Sequence, residues 1–160
     1  TLATTTNDVN LLSFTAIDIL SANIAYAPTA PGDDTGSTNA TSTALNVGNT
    51  GLDQEVFGSD MCNQFSATTT CPVSSTSTIP ANQQQFASST FGYGAAFALN
   101  LSTTSPGPEL ELNVPKTTST TLFNEGVTYW GIAVPASINL AGSYSGLNTF
   151  TAVPSEPQDW

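Results

Sequence analysis

Residues 108–115 read Pro-Glu-Leu-Glu-Leu-Asn-Val-Pro, so that Leu110, Leu112 and Val114 alternate with Glu109, Glu111 and Asn113. Successive side chains of a strand point to opposite faces, and this spacing predicts a strand with one face in a core and the other in water. The same period recurs at Phe97, Leu99 and Leu101, at Trp130, Ile132 and Val134, and from Tyr144 through Phe150 to Val153. Further strands are expected over 42–47, 54–61 and 84–91, with Gly, Pro, Asn and Ser punctuating the segments. Helical patterning is nearly absent. About eight or nine strands that each need one face covered predict an all-β fold, a single antiparallel β-sandwich of immunoglobulin-like or jelly-roll type. Patterning alone does not choose between those topologies. A chain of 160 residues, 39% of them hydrophobic, is expected to form one domain around one core.

Residues 9–20 break the pattern. They read VNLLSFTAIDIL, apolar on both faces for much of the length, and such a strand wants cover on both faces. It is either a central strand of its own sandwich or a strand donated to a neighbouring subunit, whose sheet it completes by backbone pairing. In the second reading residues 1–20 form the donated segment, starting into the strand at Val9. Either Leu12, Phe14 and Ala16, or Leu11, Ile17 and Ile19 on the other face, then fill the acceptor's groove. Two polar stretches, 28–43 with Asp33 and Asp34 and 66–78 around Cys71, read as exposed loops.

Charge removes whole classes of function. The chain has 12 Asp and Glu, a single base in Lys116 and no His, for a formal net charge of -11. Nucleic acids are held by Lys and Arg on phosphates, and this chain offers almost none, so neither nucleic acid nor an anionic membrane is expected as a partner. The lack of His removes Ser-His-Asp and Cys-His nucleophiles and the imidazole proton shuttle. The carboxylate pairs Glu109/Glu111 and Asp33/Asp34 would suit glycoside hydrolysis in principle, but a solvated strand edge and a turn explain them, and no catalytic residue is assigned. The Gly92-Tyr93-Gly94 run lacks the strand-then-helix setting of a phosphate loop and reads as a turn. The protein is expected not to be an enzyme and to need no cofactor. Calcium, a hard cation, is the ion these carboxylates would suit, with Asp33 and Asp34 as its first candidates and Asp53, Glu55 and Asp60 as a second group; neither group matches an EF-hand loop.

Cys62 and Cys71 are the only cysteines. A disulfide closing the short Thr-rich loop between them is worth about 2.7 kcal/mol on loop entropy. It competes with free buried thiols and with a metal pair, and a zinc site lacks further His or Cys ligands. A disulfide points to an oxidising compartment. No run of 18 apolar residues predicts a membrane span, and the start at Thr1 without a charged and apolar leader leads us to expect that an export signal has been removed. Together with a surface rich in Ser, Thr and Asn, these features place the protein outside the cell. Two N-glycosylation sequons occur, at Asn39-Ala40-Thr41 in the first polar loop and at Asn100-Leu101-Ser102, where alternation turns Asn100 outward. Tyr93, Tyr129, Tyr144 and Trp160 could form a sugar platform, although the strand pattern assigns most of them to sheet faces.

The closing segment 128–153, TYWGIAVPASINLAGSYSGLNTFTAV, resembles the last strands of small secreted β-sandwich surface proteins of uncultured archaea and bacteria. In these a W-G-I-x-V-P strand is followed by a G-x-Y-x-G strand ending in T-F-T-A. STALNVGNTG at 42–51 and QEVFGSDMC at 54–62 look like strand-turn-strand pieces of the same family. The resemblance implies a sandwich and says little about activity. The two-faced first strand and the Ser/Thr-rich sandwich are also similar, as architecture, to donor-strand filament subunits of archaeal threads, bundling pili and biofilm-matrix fibres. That similarity implies a structural subunit of an extracellular filament whose partners are copies of itself. The competing reading is a monomeric cell-surface module that binds a glycan or calcium. A third, an acid-tolerant coat component, follows from the charge, which shrinks as pH falls toward the carboxylate range.

Overall fold

A computed structural model describes residues 12–20, 23–66, 71–72, 77–119 and 121–157. In these the chain forms β1 (Ile17–Ile19), β2 (Ala40–Asn46), β3 (Leu52–Gly58), β4 (Met61–Cys62), β5 (Thr78–Ile79), β6 (Gln84–Ala87), β7 (Leu99–Asn100), β8 (Glu109–Val114), β9 (Asn124–Ile132) and β10 (Asn148–Pro154). One 3-10 turn, Ala81–Gln83, precedes β6, and no α-helix occurs among the described residues. The strands number ten rather than eight or nine because β4, β5 and β7 are two-residue pieces too short to show a period.

Five strands pair in the order β1-β2-β9-β6-β7, three in the order β10-β3-β8, and β4 and β5 form a small ribbon. Every ladder is antiparallel. The two larger sheets face each other across one core, to which β3 gives Val56, β6 Phe86, β8 Leu110 and β9 Trp130. Trp130 lies between Phe86 and Phe150, with ring centroids 5.1 and 6.1 Å apart. Aromatic rings bring the largest apolar areas a core can bury, and this stack centres the sandwich. An antiparallel all-β sandwich is therefore what the chain forms.

Polar groups tie the sheets as well. The Gln54 Nε2 of β3 donates to the Thr128 hydroxyl of β9 at 2.6 Å, and the Trp130 indole donates to Ser42 Oγ at 2.9 Å. Asn46, fully buried at the end of β2, donates through Nδ2 to the carbonyls of Thr50, Val114 and Pro115 and accepts from the Gly48 N–H. Each bond satisfies a group that would otherwise be desolvated at a cost of about 1–3 kcal/mol.

The strand at 108–115 forms as expected, with Leu110 and Val114 buried and Glu109, Glu111 and Asn113 exposed. Elsewhere the period overran the strands. Only Leu99–Asn100 pairs near Phe97, which is 60% exposed, because a turn closed by Ala98 N–H on the Ala95 carbonyl precedes it. Tyr144 lies ahead of β10, in a stretch where Ser145 bridges to Cys62. The largest correction concerns 9–20. In its described part, 12–20, the strand is three residues long and sits at the edge of its own sheet rather than at the centre, with one side of its backbone paired among the described residues.

Candidate functional site

The N-terminal edge is held by Asn49 together with the ladder along β2. Asn49, in the turn after β2, accepts the Phe14 N–H at Oδ1 (2.6 Å), donates its own N–H to the Phe14 carbonyl (2.9 Å) and donates from Nδ2 to the Leu12 carbonyl (2.9 Å). The Val47 N–H reaches Ala16 O, the Thr15 and Thr50 hydroxyls meet at 2.8 Å, and the Leu20 N–H reaches Thr43 O. Between these, Ile17, Asp18 and Ile19 pair with Asn46, Leu45 and Ala44. Gly48 lets the segment approach: a Cβ there would overlap the Phe14 carbonyl oxygen. Ala16, Ile17 and Ile19 are half-buried against the molecule, whereas Leu12 is 81% and Phe14 61% exposed. The expected assembly residues thus divide into a tethering part and a presented part. Val9 and Leu11 lie outside the described residues.

The outer face of the three-stranded sheet is acidic. It carries Asp53 and Glu55 from β3 and Glu109 and Glu111 from β8, with Glu156 just beyond β10. Glu55 and Glu109 are direct cross-strand partners, a pairing of like charges that destabilises a ladder. Burial first, then Asp53, Glu55 and Glu156, push the Glu109 carboxyl above the usual glutamate range. Carboxylate oxygens of Asp53, Glu111 and Glu156 lie within 4.8 Å of one another. Asp53 is 1% exposed for a structural reason. The β3–β8 register shifts between Leu52 and Gln54, Asn113 takes a left-handed φ of 52°, and Asp53 Oδ1 accepts the Asn113 N–H at 2.7 Å. The carboxylate satisfies the backbone group that the irregularity sets free. Such a face can take up protons or draw a hard cation. Asp33 and Asp34, the first calcium candidates, do not join it. Both are exposed in the loop before β2, and Asp34 Oδ1 closes a turn on the Gly36 N–H at 2.6 Å. Asp60 is engaged by the Ala81 N–H.

A third feature lies at the opposite end of the sandwich from Leu12 and Phe14. There the run 23–29 and the approach to β10 border a cleft of about 420 Å³ walled by Tyr26, Met61, Ile79, Ile132, Val134 and Tyr144. A neighbouring hollow of about 400 Å³ adds Ile138 and Leu140. Among the described residues, none that lines either one is charged. The Tyr26 hydroxyl donates to Gln84 Oε1 at 3.0 Å, and burial, then Tyr93, push its phenol far above the usual range. Tyr144 shares a 2.7 Å bond with the Ser77 hydroxyl and donates to the Leu140 carbonyl. The period pattern shows Ile132 and Val134 as core-facing but gives no sign that their far end is open, since the opening depends on the unpaired run 23–29.

The remaining residues are placed as follows. Cys62 and Cys71 form a disulfide, with Cα atoms 5.7 Å apart, within the range such a bond allows. Asn39 accepts the Phe91 N–H at Oδ1 and buries Nδ2, so the folded chain does not present that amide for glycosylation. Asn100 is exposed on β7, its Oδ1 accepting from Gln85 Nε2. Of the sugar-platform tyrosines, Tyr144 lines the cleft, while Tyr93 and Tyr129 do not, and Trp160 lies outside the described residues. No helix among the described residues is long and apolar enough to cross a membrane.

Fold and cross-link together define a disulfide-closed antiparallel β-sandwich. No family model matches the chain, and no curated protein or solved structure matches it either.

Proposed function

We propose that the protein is a structural subunit of an extracellular assembly built from copies of itself and joined through the N-terminal segment, residues 1–20. The observation that carries this reading is the state of the segment at 12–20. It lies on the outer edge of its sheet, is attached through Asn49 and a three-residue ladder, and leaves Leu12 and Phe14 largely in water. An edge strand is a template for pairing between chains, and the apolar side chains this one leaves in water are surface that a second copy can cover. The charge supports the same view. Copies of a chain at -11 with one Lys repel one another except where uncharged surfaces meet. The disulfide fits an oxidising, extracellular setting.

The test is sedimentation velocity with negative-stain microscopy on the full chain and on a chain lacking residues 1–20. The full chain should grow with concentration and form regular fibres; the truncated chain should not. A truncated chain that still polymerises removes the N-terminal joint. A full chain monomeric at every concentration favours the glycan- or calcium-binding module instead.

A further inference from the structure

We infer that the uncharged cleft at the β9 C-terminal end receives the Leu12–Phe14 end of a second copy, so that subunits join head to tail; this rests on the assembly reading above and names its acceptor.

Three observations converge on it. The first is a buried polar group on the small hollow that adjoins the cleft. Gln84 is 2% exposed, its Oε1 is taken by Tyr26, and its Nε2 has no partner among the described residues. In front of it lies a cavity of about 130 Å³ that shares Asn23, Ile24, Tyr26 and Met61 with the larger cleft. A buried donor without an acceptor is costly, and what it calls for is an oxygen brought in from outside. The second is the character of the walls. Ile79, Ile132, Val134 and Tyr144 suit apolar side chains, and at roughly 150 Å³ for a ring-sized guest a space of about 420 Å³ takes two. Among the described lining residues none is charged, so the cleft offers no ion pair to an ionic ligand.

The third is the other end of the same molecule. Leu12 and Phe14, two residues apart, project from one side of an extended segment and are the two least covered apolar side chains on it. The carbonyls of Leu12 and Phe14 both turn to Asn49. Successive carbonyls of an extended chain alternate in direction, so that of Ser13 faces outward. Two apolar side chains flanking one outward acceptor match the apolar walls of a cleft that adjoins one buried donor. Leu122 and Phe123, 76% and 41% exposed, lie just outside Asn124 at this same end and widen the apolar contact. The knob and the cleft are separated by the nine residues of β9, about 30 Å at strand rise. Leu12 and Phe14 therefore cannot fill the cleft of their own chain, and a contact between unlike surfaces on opposite ends propagates as a line instead of closing as a twofold dimer.

Two exposed substitutions test this on the full chain. Phe14→Asp spoils the knob and leaves the cleft; Ser143→Trp, on the cleft rim, blocks the cleft and leaves the knob. Each alone should weaken self-association on the order of 30-fold, as for loss of an interface hot spot, while Ser88→Trp, exposed at the end of β6, should leave it unchanged. Mixed together, the first two should form a 1:1 dimer that grows no further, because one intact knob and one intact cleft remain. If the unsubstituted chain polymerises but Ser143→Trp polymerises equally well, or the mixture gives no dimer, the cleft is not the acceptor and only this inference falls. If the unsubstituted chain never associates, the assembly reading falls with it.

Discussion

Asn46 shows what the residue scale adds. Along β2 the side chains of Ser42, Ala44 and Asn46 all turn inward, at 2%, 2% and 0% exposure, so the inward face of this strand is mostly polar. Counting apolar residues at period two locates the strand but cannot show that an amide and a hydroxyl occupy core positions. Their partners, Val114 and Trp130, lie far along the chain. Asn46→Ala should strip three carbonyls and the Gly48 N–H of their partner at once and cost about 3 kcal/mol, read as a lower urea midpoint with an unchanged slope. Asn46→Leu should recover little of this loss, because the missing groups are polar. The same blindness to distant partners made Asn39 look free in the sequence, where only the Phe91 N–H, 52 residues away, reveals its engagement.

At the scale of elements, β8 was legible because one face meets the core and the other meets water, which is the condition under which alternation is informative. Residues 9–20 were not, since a segment apolar on both sides reads alike whether it lies in the centre or at an edge. What decides is Asn49, which no local pattern connects to Phe14. Gly48→Ala should push the segment at 12–16 off the turn that follows β2 without touching the core. The Val47 and Asn49 amides should then exchange with solvent on the order of tenfold faster, while those of β9 do not change. The acidic face of the three-stranded sheet predicts a pH dependence of definite sign. Glu109 is shifted up in the folded chain, so its contribution favours the fold fully below the ordinary glutamate range and is lost as pH rises through the shifted value. Thermal midpoints should fall as pH is raised from the acid side through that window, and Glu109→Gln should flatten the fall. A midpoint rising over the same window in the parent but not in the variant would reverse the assignment.

For the whole molecule, an antiparallel sandwich could be read from composition and period, because it follows from how much apolar surface must be covered and by what, and the disulfide from the only two cysteines, nine residues apart. The cleft and its relation to the N-terminal end could not, since both depend on how separate segments meet. The cross-link belongs to the small ribbon of β4, outside both larger sheets. Reduction with dithiothreitol should therefore lower stability by about 2.7 kcal/mol while the far-ultraviolet spectrum of the sandwich persists at low temperature. A complete loss of structure on reduction would mean that the ribbon holds the core together. The strand order also governs when the molecule can exist at all. The middle of the five-stranded sheet pairs Ala40 with Trp130 and Asn46 with Asn124, so β2 has no partner on its inner side until most of the chain has been made. Long-range pairings of this kind are slow to form. The chain therefore stays open until its last third supplies β9, the strand around which β2 and β6 can close.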